Sequence, residues 1–215
     1  IAAYGAAAAR AVEAGYEGIE IHGANTYLLQ QFVSPHSNRR DDKWGQDRLL
    51  FPKRVVEEVL GQVKGRAFVG YRFSPEELED PGIRWEDTAD LIDLLAKSEL
   101  DYLHVSLWDS KMKGLKGDWD EPTLARVARQ VAHRKPLMGV GQIASRKDAE
   151  ECQQMGADLV AVGRAALTQP NLPILMQQGL PARMTIPKEG CGRLFNWPKG
   201  LEEKALSAGW FAFED

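Results

Sequence analysis

Short apolar runs that stop abruptly at polar or glycine residues recur along the chain, with amphipathic stretches between them. Residues 18–21 (GIEI) run straight into His22, Gly23, Ala24, Asn25 and Tyr27. Residues 66–73, 102–107, 136–140 and 159–162 repeat the theme, the first of these ending in Arg72 and Ser74. Rich in β-branched and aromatic residues, they read as strands. Helical signals lie between them. Residues 2–14 are Ala-rich, with Gly15 placed as a C-cap. Residues 48–62 set Leu49 or Leu50, Val55, Val56, Val59 and Leu60 along one side. Residues 85–97 turn Leu91, Leu94 and Leu95 inward, and residues 121–133 carry Pro122 in the first turn. Ser145 caps a helix running to residue 155, with Asp148 three positions on as in a capping box. Gly163-Arg164 opens a last helix toward Leu167.

Strands alternating with helices, without a hairpin signal, form parallel β/α units. Five such units suit an open sheet or most of an eight-stranded barrel. In both architectures the chemistry gathers at the C-terminal ends of the strands. Residues 24–32 read as a short helix or structured loop, and the polar stretch 34–47 as a long, functional loop at the same end as His22. Residues 111–119 (KMKGLKGDW) read as an exposed loop, whose lysines are solvated. Beyond Pro170 the prolines at 173, 181, 187 and 198 suggest an irregular tail packing on the outside. The division expected is therefore 1–172, a partial barrel, and 173–215, the tail.

Composition narrows the partners. The 215 residues are 44% hydrophobic and 27% charged with net charge −4, which gives no general basic field for nucleic acid or an anionic membrane. Cys152 and Cys191 are too few for a disulfide framework and lack the spacing of a metal site, which favours a reducing, cytoplasmic setting. No long apolar span or signal peptide is evident. The chain opens without Met and directly in helical pattern, as a piece of a longer polypeptide would.

His22, Asn25 and Tyr27 are the strongest candidate cluster. An imidazole and an amide three residues apart beyond a strand can aim two donors at one carbonyl oxygen or anion, and a nearby phenol can deliver a proton. The competing reading is a His that caps local backbone and a Tyr that packs the rim. Arg72 can neutralise a phosphate or a reduced cofactor, or form a buried ion pair. His104 and Ser106 face one side of the third strand, where packing and hydrogen bonding outweigh catalysis. Gly139 and Gly141 after the fourth strand, and Gly163 with Arg164 after the fifth, together suit a phosphate held by backbone N–H groups, although glycine also serves tight turns.

The stretch HGANTYLLQQFVSPHSNRRDDKWG resembles the corresponding segment of the Old Yellow Enzyme family of flavin-dependent ene-reductases and NADH oxidases. YRFS (71–74), HVS (104–106), VGQI (140–143) and DLVAVGRAALTQPNL (158–172) follow in family order and spacing. The resemblance implies an eight-stranded β/α barrel carrying FMN at its C-terminal mouth, with the five strands here as strands four to eight. By the same resemblance, His22 and Asn25 hold the substrate's carbonyl oxygen, Tyr27 donates a proton, and Arg72 lies near the flavin pyrimidine. Gly139, Gly141, Gly163 and Arg164 would belong to the cofactor site. The implied activity is reduction of the activated C=C bond of an α,β-unsaturated carbonyl compound by NADH or NADPH through FMN. It belongs to the intact protein, which would also supply the missing N-terminal barrel strands, and a homo-oligomer is compatible with it. The lone Cys191 argues for an FMN-only type without an iron–sulfur cluster. Two alternatives stay open: a sugar-phosphate isomerase or lyase on the same barrel, and an inactive C-terminal structural fragment.

Overall fold

The computed structural model describes residues 1–116 and 119–214. Residues 117 and 118, within the loop expected over 111–119, lie outside the described residues. In chain order the elements are α1 (Ala2–Glu13), β1 (Gly18–Gly23), α2 (Leu28–Val33), α3 (Lys43–Gln46), α4 (Leu50–Val63), β2 (Phe68–Phe73) and α5 (Trp85–Ala96). Then come β3 (Tyr102–Val105), α6 (Thr123–Val131), β4 (Leu137–Val140), α7 (Arg146–Gln154), β5 (Leu159–Ala161), α8 (Arg164–Thr168) and α9 (Leu172–Gln177). A C-terminal group follows: β6 (Thr185–Ile186), α10 (Cys191–Leu194), α11 (Leu201–Ser207) and β7 (Ala212–Phe213).

The five strands β1–β5 pair in sequence order, and every pair is parallel. A doubly wound sheet reverses its strand order part-way; this one does not, which is the winding of a β/α barrel sector. The expected partial barrel is what forms. Side-chain alternation then divides the sheet. Ile21, Val69, Tyr71, Phe73, Leu103, Val105 and Leu137 point to the helices and join Val56, Val59, Leu91, Leu95, Leu124 and Val127 in one buried core. Glu20, His22, Arg72, Tyr102 and His104 occupy the opposite face, which is open: Phe68 there is 67% exposed and Leu159 45%. Two glycines make room for rings that cross a neighbouring strand. A Cβ on Gly23 would fall inside the Tyr71 side chain, and one on Gly70 inside the Tyr102 ring. The second crossing brings the Tyr102 hydroxyl to Glu20 Oε2 at 3.1 Å.

Local chemistry sets the element ends. Ser145 caps α7, accepting from Asp148 N at 3.2 Å, and Gly15 follows α1 at φ +89°. The strand expected from residue 66 begins at Phe68, because the Arg66 guanidinium turns back onto the Gln62 and Val63 carbonyls at the end of α4. The stretch beyond Pro170 differs from the irregular tail expected. It carries α9, whose Met176 packs against the main core, and then α10, α11 and the parallel pair β6–β7 around a small core of Ile186, Cys191, Ala205 and Phe211. Trp197 ties this core to α8, its indole N–H donating to Leu167 O at 2.6 Å.

Candidate active site

Register brings the first candidates together. His22 on β1 pairs with Arg72 on β2, and Arg72 pairs with His104 on β3, so three cationic or imidazole side chains share one row on the open face. One residue row below, Glu20 collects the Tyr102 hydroxyl and His104 Nδ1, the latter at 2.9 Å. A carboxylate only accepts, so Nδ1 carries the proton. Burial works against ionisation of Glu20, but the His104 and Tyr102 hydrogen bonds and the Arg72 charge hold its carboxyl below the usual range. Burial and the Glu20 carboxylate push Tyr102 up to about 12. Partial burial and the Arg72 cation, against the pull of Glu20, lower His22, which is therefore a neutral imidazole at pH 7.

Beyond β1 the backbone turns sharply. Asn25 and Thr26 are consecutive non-glycine residues in the left-handed region, at φ 56° and 63°. Such a pair persists only when the surroundings over-determine it. Here Asn25 N donates to Ser74 Oγ at 2.9 Å, Thr26 N to Gln30 Oε1 at 3.0 Å and Tyr27 N to Ala24 O at 3.2 Å. The turn delivers Tyr27 to the N-cap of α2, 62% exposed, with its ring centroid 5.2 Å from that of His22. The strand end and the turn thus bring His22, Asn25 and Tyr27 to one edge of the sheet.

Ser106 connects this edge to Arg72. Arg72 Nη2 donates to Ser106 Oγ at 3.0 Å, and the same hydroxyl lies 3.3 Å from Asn25 Nδ2. Arg72 Nε is buried and has no hydrogen-bond partner among the described residues. A buried donor left unpaired is costly, so the guanidinium is set to receive an acceptor.

The glycines separate by environment. A Cβ on Gly139 would meet Cys152 Sγ at 2.5 Å and Ala157 Cβ at 3.1 Å, so packing against α7 accounts for that glycine without a ligand. Gly141 has φ +125°, and a Cβ would meet Ser110 N at 2.5 Å. Gly163 is different: nothing among the described residues lies within 4 Å of its Cβ position, so the open space above its backbone admits a close-approaching group. Arg164 follows it, its guanidinium donating to Gln142 Oε1 at 2.6 Å and lying 5.7 Å from the exposed Trp108 ring. Gly141, Gly163, Arg164 and Trp108 line one cleft of about 180 Å³ beyond β4 and β5. A larger cavity, about 720 Å³, lies at the other end of the sheet beside Arg66, Phe68 and Asp101, away from these groups.

Residues 1–183 match the sequence profile of the NADH:flavin oxidoreductase / NADH oxidase family. The chain belongs to that family. This is the Old Yellow Enzyme family of the sequence resemblance. Among curated relatives, a probable NADH-dependent flavin oxidoreductase, YqiG, from Bacillus subtilis is 40% identical over the whole chain, which spans 60% of it. An NADH:acrylate oxidoreductase from Vibrio harveyi is 46% identical over 78% of the chain and 18% of its own length. In structure the chain resembles morphinone reductase, with TM-score 0.67 and 28% identity over 84% of this chain and 49% of that one. The chain thus spans about half, or less, of most of the relatives it matches.

Within the family segment, the loop over residues 34–47 is held by its own polar groups. Asn38 Nδ2 donates to Phe32 O and Trp44 O, both at 2.7 Å, and Ser34 Oγ accepts from His36 N at 3.2 Å. Arg40 and Asp42 pair with each other within the same loop. Sequence reasoning missed a buried polar trio beneath the turn: Gln30, Ser34 and Glu77, 2%, 0% and 6% exposed. The only signal available was three polar residues within otherwise apolar or proline-bounded segments.

Proposed function

We propose that the intact polypeptide is a flavin-dependent oxidoreductase that reduces the activated C=C bond of α,β-unsaturated carbonyl compounds with NADH or NADPH. The observation that carries the reading is the register row of His22 and Arg72, with Asn25 and Tyr27 gathered at the same strand ends. FMN, implied by the family, fits these residues on two counts: the unpaired buried Nε of Arg72 and the open space over Gly163. Arg72 would sit against the ring system, and Gly141, Gly163 and Arg164 would take the phosphate; Gly139 would help only by letting α7 pack. When bound, the flavin supplies hydride chemistry between nicotinamide and alkene.

The chain's own residues do the rest. His22, neutral at pH 7, and the Asn25 amide donate to the substrate carbonyl oxygen, where negative charge develops as the alkene is reduced. Tyr27 gives its phenolic proton to the carbon next to that carbonyl; a phenol need not be ionised to do so. Arg72 contributes a cationic field, and Ser106 holds Arg72 and Asn25 in fixed relation. A sugar-phosphate isomerase would use the cleft but leave His22, Asn25 and Tyr27 without roles.

The open face also supports the proposal that further barrel strands cover it. Phe68 and Leu159 are exposed there, and His104 Nε2 is buried without a partner among the described residues. Two unpaired buried thiols suit a reducing cytoplasm.

Purified intact polypeptide is expected to show a flavin absorption spectrum that NADH or NADPH bleaches without oxygen and that an enone restores. A colourless protein that cannot be reconstituted with FMN overturns the reading. The two glycine environments give a second, paired expectation. Gly163→Ala should weaken FMN binding about ten-fold with little change in the apoprotein's melting temperature, because the added Cβ meets nothing within 4 Å among the described residues and enters the space proposed for the ligand. Gly139→Ala should instead destabilise the fold by about 1–3 kcal/mol through overpacking against Cys152. Titration of apoprotein with FMN, alongside thermal unfolding, separates the two.

A further inference from the structure

The left-handed pair Asn25–Thr26 is held by a side chain whose orientation is itself dictated from elsewhere. Thr26 N donates to Gln30 Oε1 at 3.0 Å, while Gln30 Nε2 donates to Glu77 Oε1 at 2.8 Å. The other oxygen of Glu77 accepts from Ser34 Oγ at 2.5 Å and from Ile83 N at 3.1 Å. All three side chains are buried. A carboxylate can only accept, so Gln30 must turn its NH₂ toward Glu77, and this leaves its carbonyl for the Thr26 N–H. The neighbouring acids do other work. Glu76 accepts from Leu115 N at 2.5 Å, Asp87 caps α5 by accepting from Arg84 N, and the exposed Asp80 lies 3.6 Å from the Arg84 guanidinium.

We propose that Glu77 is a positioning residue: by fixing the amide of Gln30 it sets the Asn25–Thr26 turn, and so the placement of the Asn25 amide and the Tyr27 phenol. This rests on the roles given above to Asn25 and Tyr27. Swapping the two groups distinguishes this role from a generic need for a buried acid. In Glu77→Gln, an NH₂ faces the NH₂ of Gln30 if Ser34 and Ile83 keep their acceptor. Gln30 must then flip, and its own NH₂ confronts the Thr26 N–H. In the double variant Gln30→Glu/Glu77→Gln the amide at 77 still accepts from Ser34 and Ile83 through its carbonyl and donates to the carboxylate at 30. That carboxylate keeps an oxygen for Thr26.

The test uses the intact polypeptide in two arms. Hydrogen exchange of the backbone over residues 24–31, measured without cofactor, should speed about ten-fold in Glu77→Gln and return toward wild type in the double variant. Reoxidation of the reduced flavoprotein by an enone should slow about ten- to hundred-fold in Glu77→Gln, in kcat rather than KM, while reduction by NAD(P)H stays near wild type. The swap should restore it. Gln30→Met, which leaves Glu77 its Ser34 and Ile83 bonds, should reproduce the selective loss if Glu77→Gln fails to fold. Wild-type exchange and enone reoxidation in Glu77→Gln, or in Gln30→Met should Glu77→Gln not fold, overturn the proposal, as does a double variant no better than the single one. If the wild-type protein takes up no flavin, the functional reading falls, and the exchange arm still decides whether Glu77 sets the turn.

Discussion

Tyr27→Phe is expected to slow reoxidation of the reduced flavoprotein by an enone about 10²–10⁴-fold, the usual contribution of a placed general acid. Reduction by NAD(P)H should stay within about two-fold, because that half-reaction needs no proton from this residue. The substitution is conservative in shape. The phenyl ring keeps its position 5.2 Å from the His22 ring and at the N-cap of α2, so the turn and the neighbouring donors stay in place. Anaerobic stopped-flow of the two half-reactions reads the contrast directly. A solvent isotope effect on the enone step that is present in wild type and altered in the variant would strengthen the assignment. Equal loss of both half-reactions would remove Tyr27 as the proton donor.

Much of this arrangement was legible in the chain, because two independent periodicities agree on it. Apolar runs broken by helical stretches imply parallel β/α units, and parallel units place all strand C-termini on one edge. Once His22, Arg72 and Gly163 were recognised as strand-end residues, their common side followed from topology alone. Which side chains share the open face depends also on the strand register, which the structure supplies: Glu20, His22 and Arg72 alternate with Ile21 and Tyr71 across β1 and β2.

What stayed hidden has physical causes. Glu77 lies in the acidic, proline-bounded run PEELEDP, where nothing in the pattern singles out one carboxylate; only tertiary packing shows that it is buried beneath α2. Ser106 is one more small polar residue at a strand end until the guanidinium of Arg72 and the amide of Asn25 are seen on either side of its hydroxyl. Gly139 and Gly163 are indistinguishable as letters, yet one glycine lets a helix approach and the other has open space above it. The C-terminal group escaped for a different reason. Its strands are two residues long and its helices α10 and α11 four and seven, too short for a hydrophobic period to register.

His22 is where the electrostatic argument meets its strongest test. A preorganised donor aimed at developing negative charge is worth about 10²–10³ in rate when removed. His22→Ala should therefore lower kcat for enone reduction by about that factor, with reduction by NAD(P)H much less affected. Partial burial and Arg72 favour the neutral imidazole, so in the proposed role it would offer a substrate a hydrogen bond rather than a full charge. His22→Asn, which restores an uncharged N–H donor near the same row, should recover most of the lost rate, staying within about ten-fold of wild type. His22→Lys should not, since a second cation beside Arg72 in the same register row is opposed by like-charge repulsion. Loss in all three variants alike would mean that the ring acts by packing against Tyr27. Retention of rate in His22→Ala would leave the carbonyl oxygen to Asn25 alone.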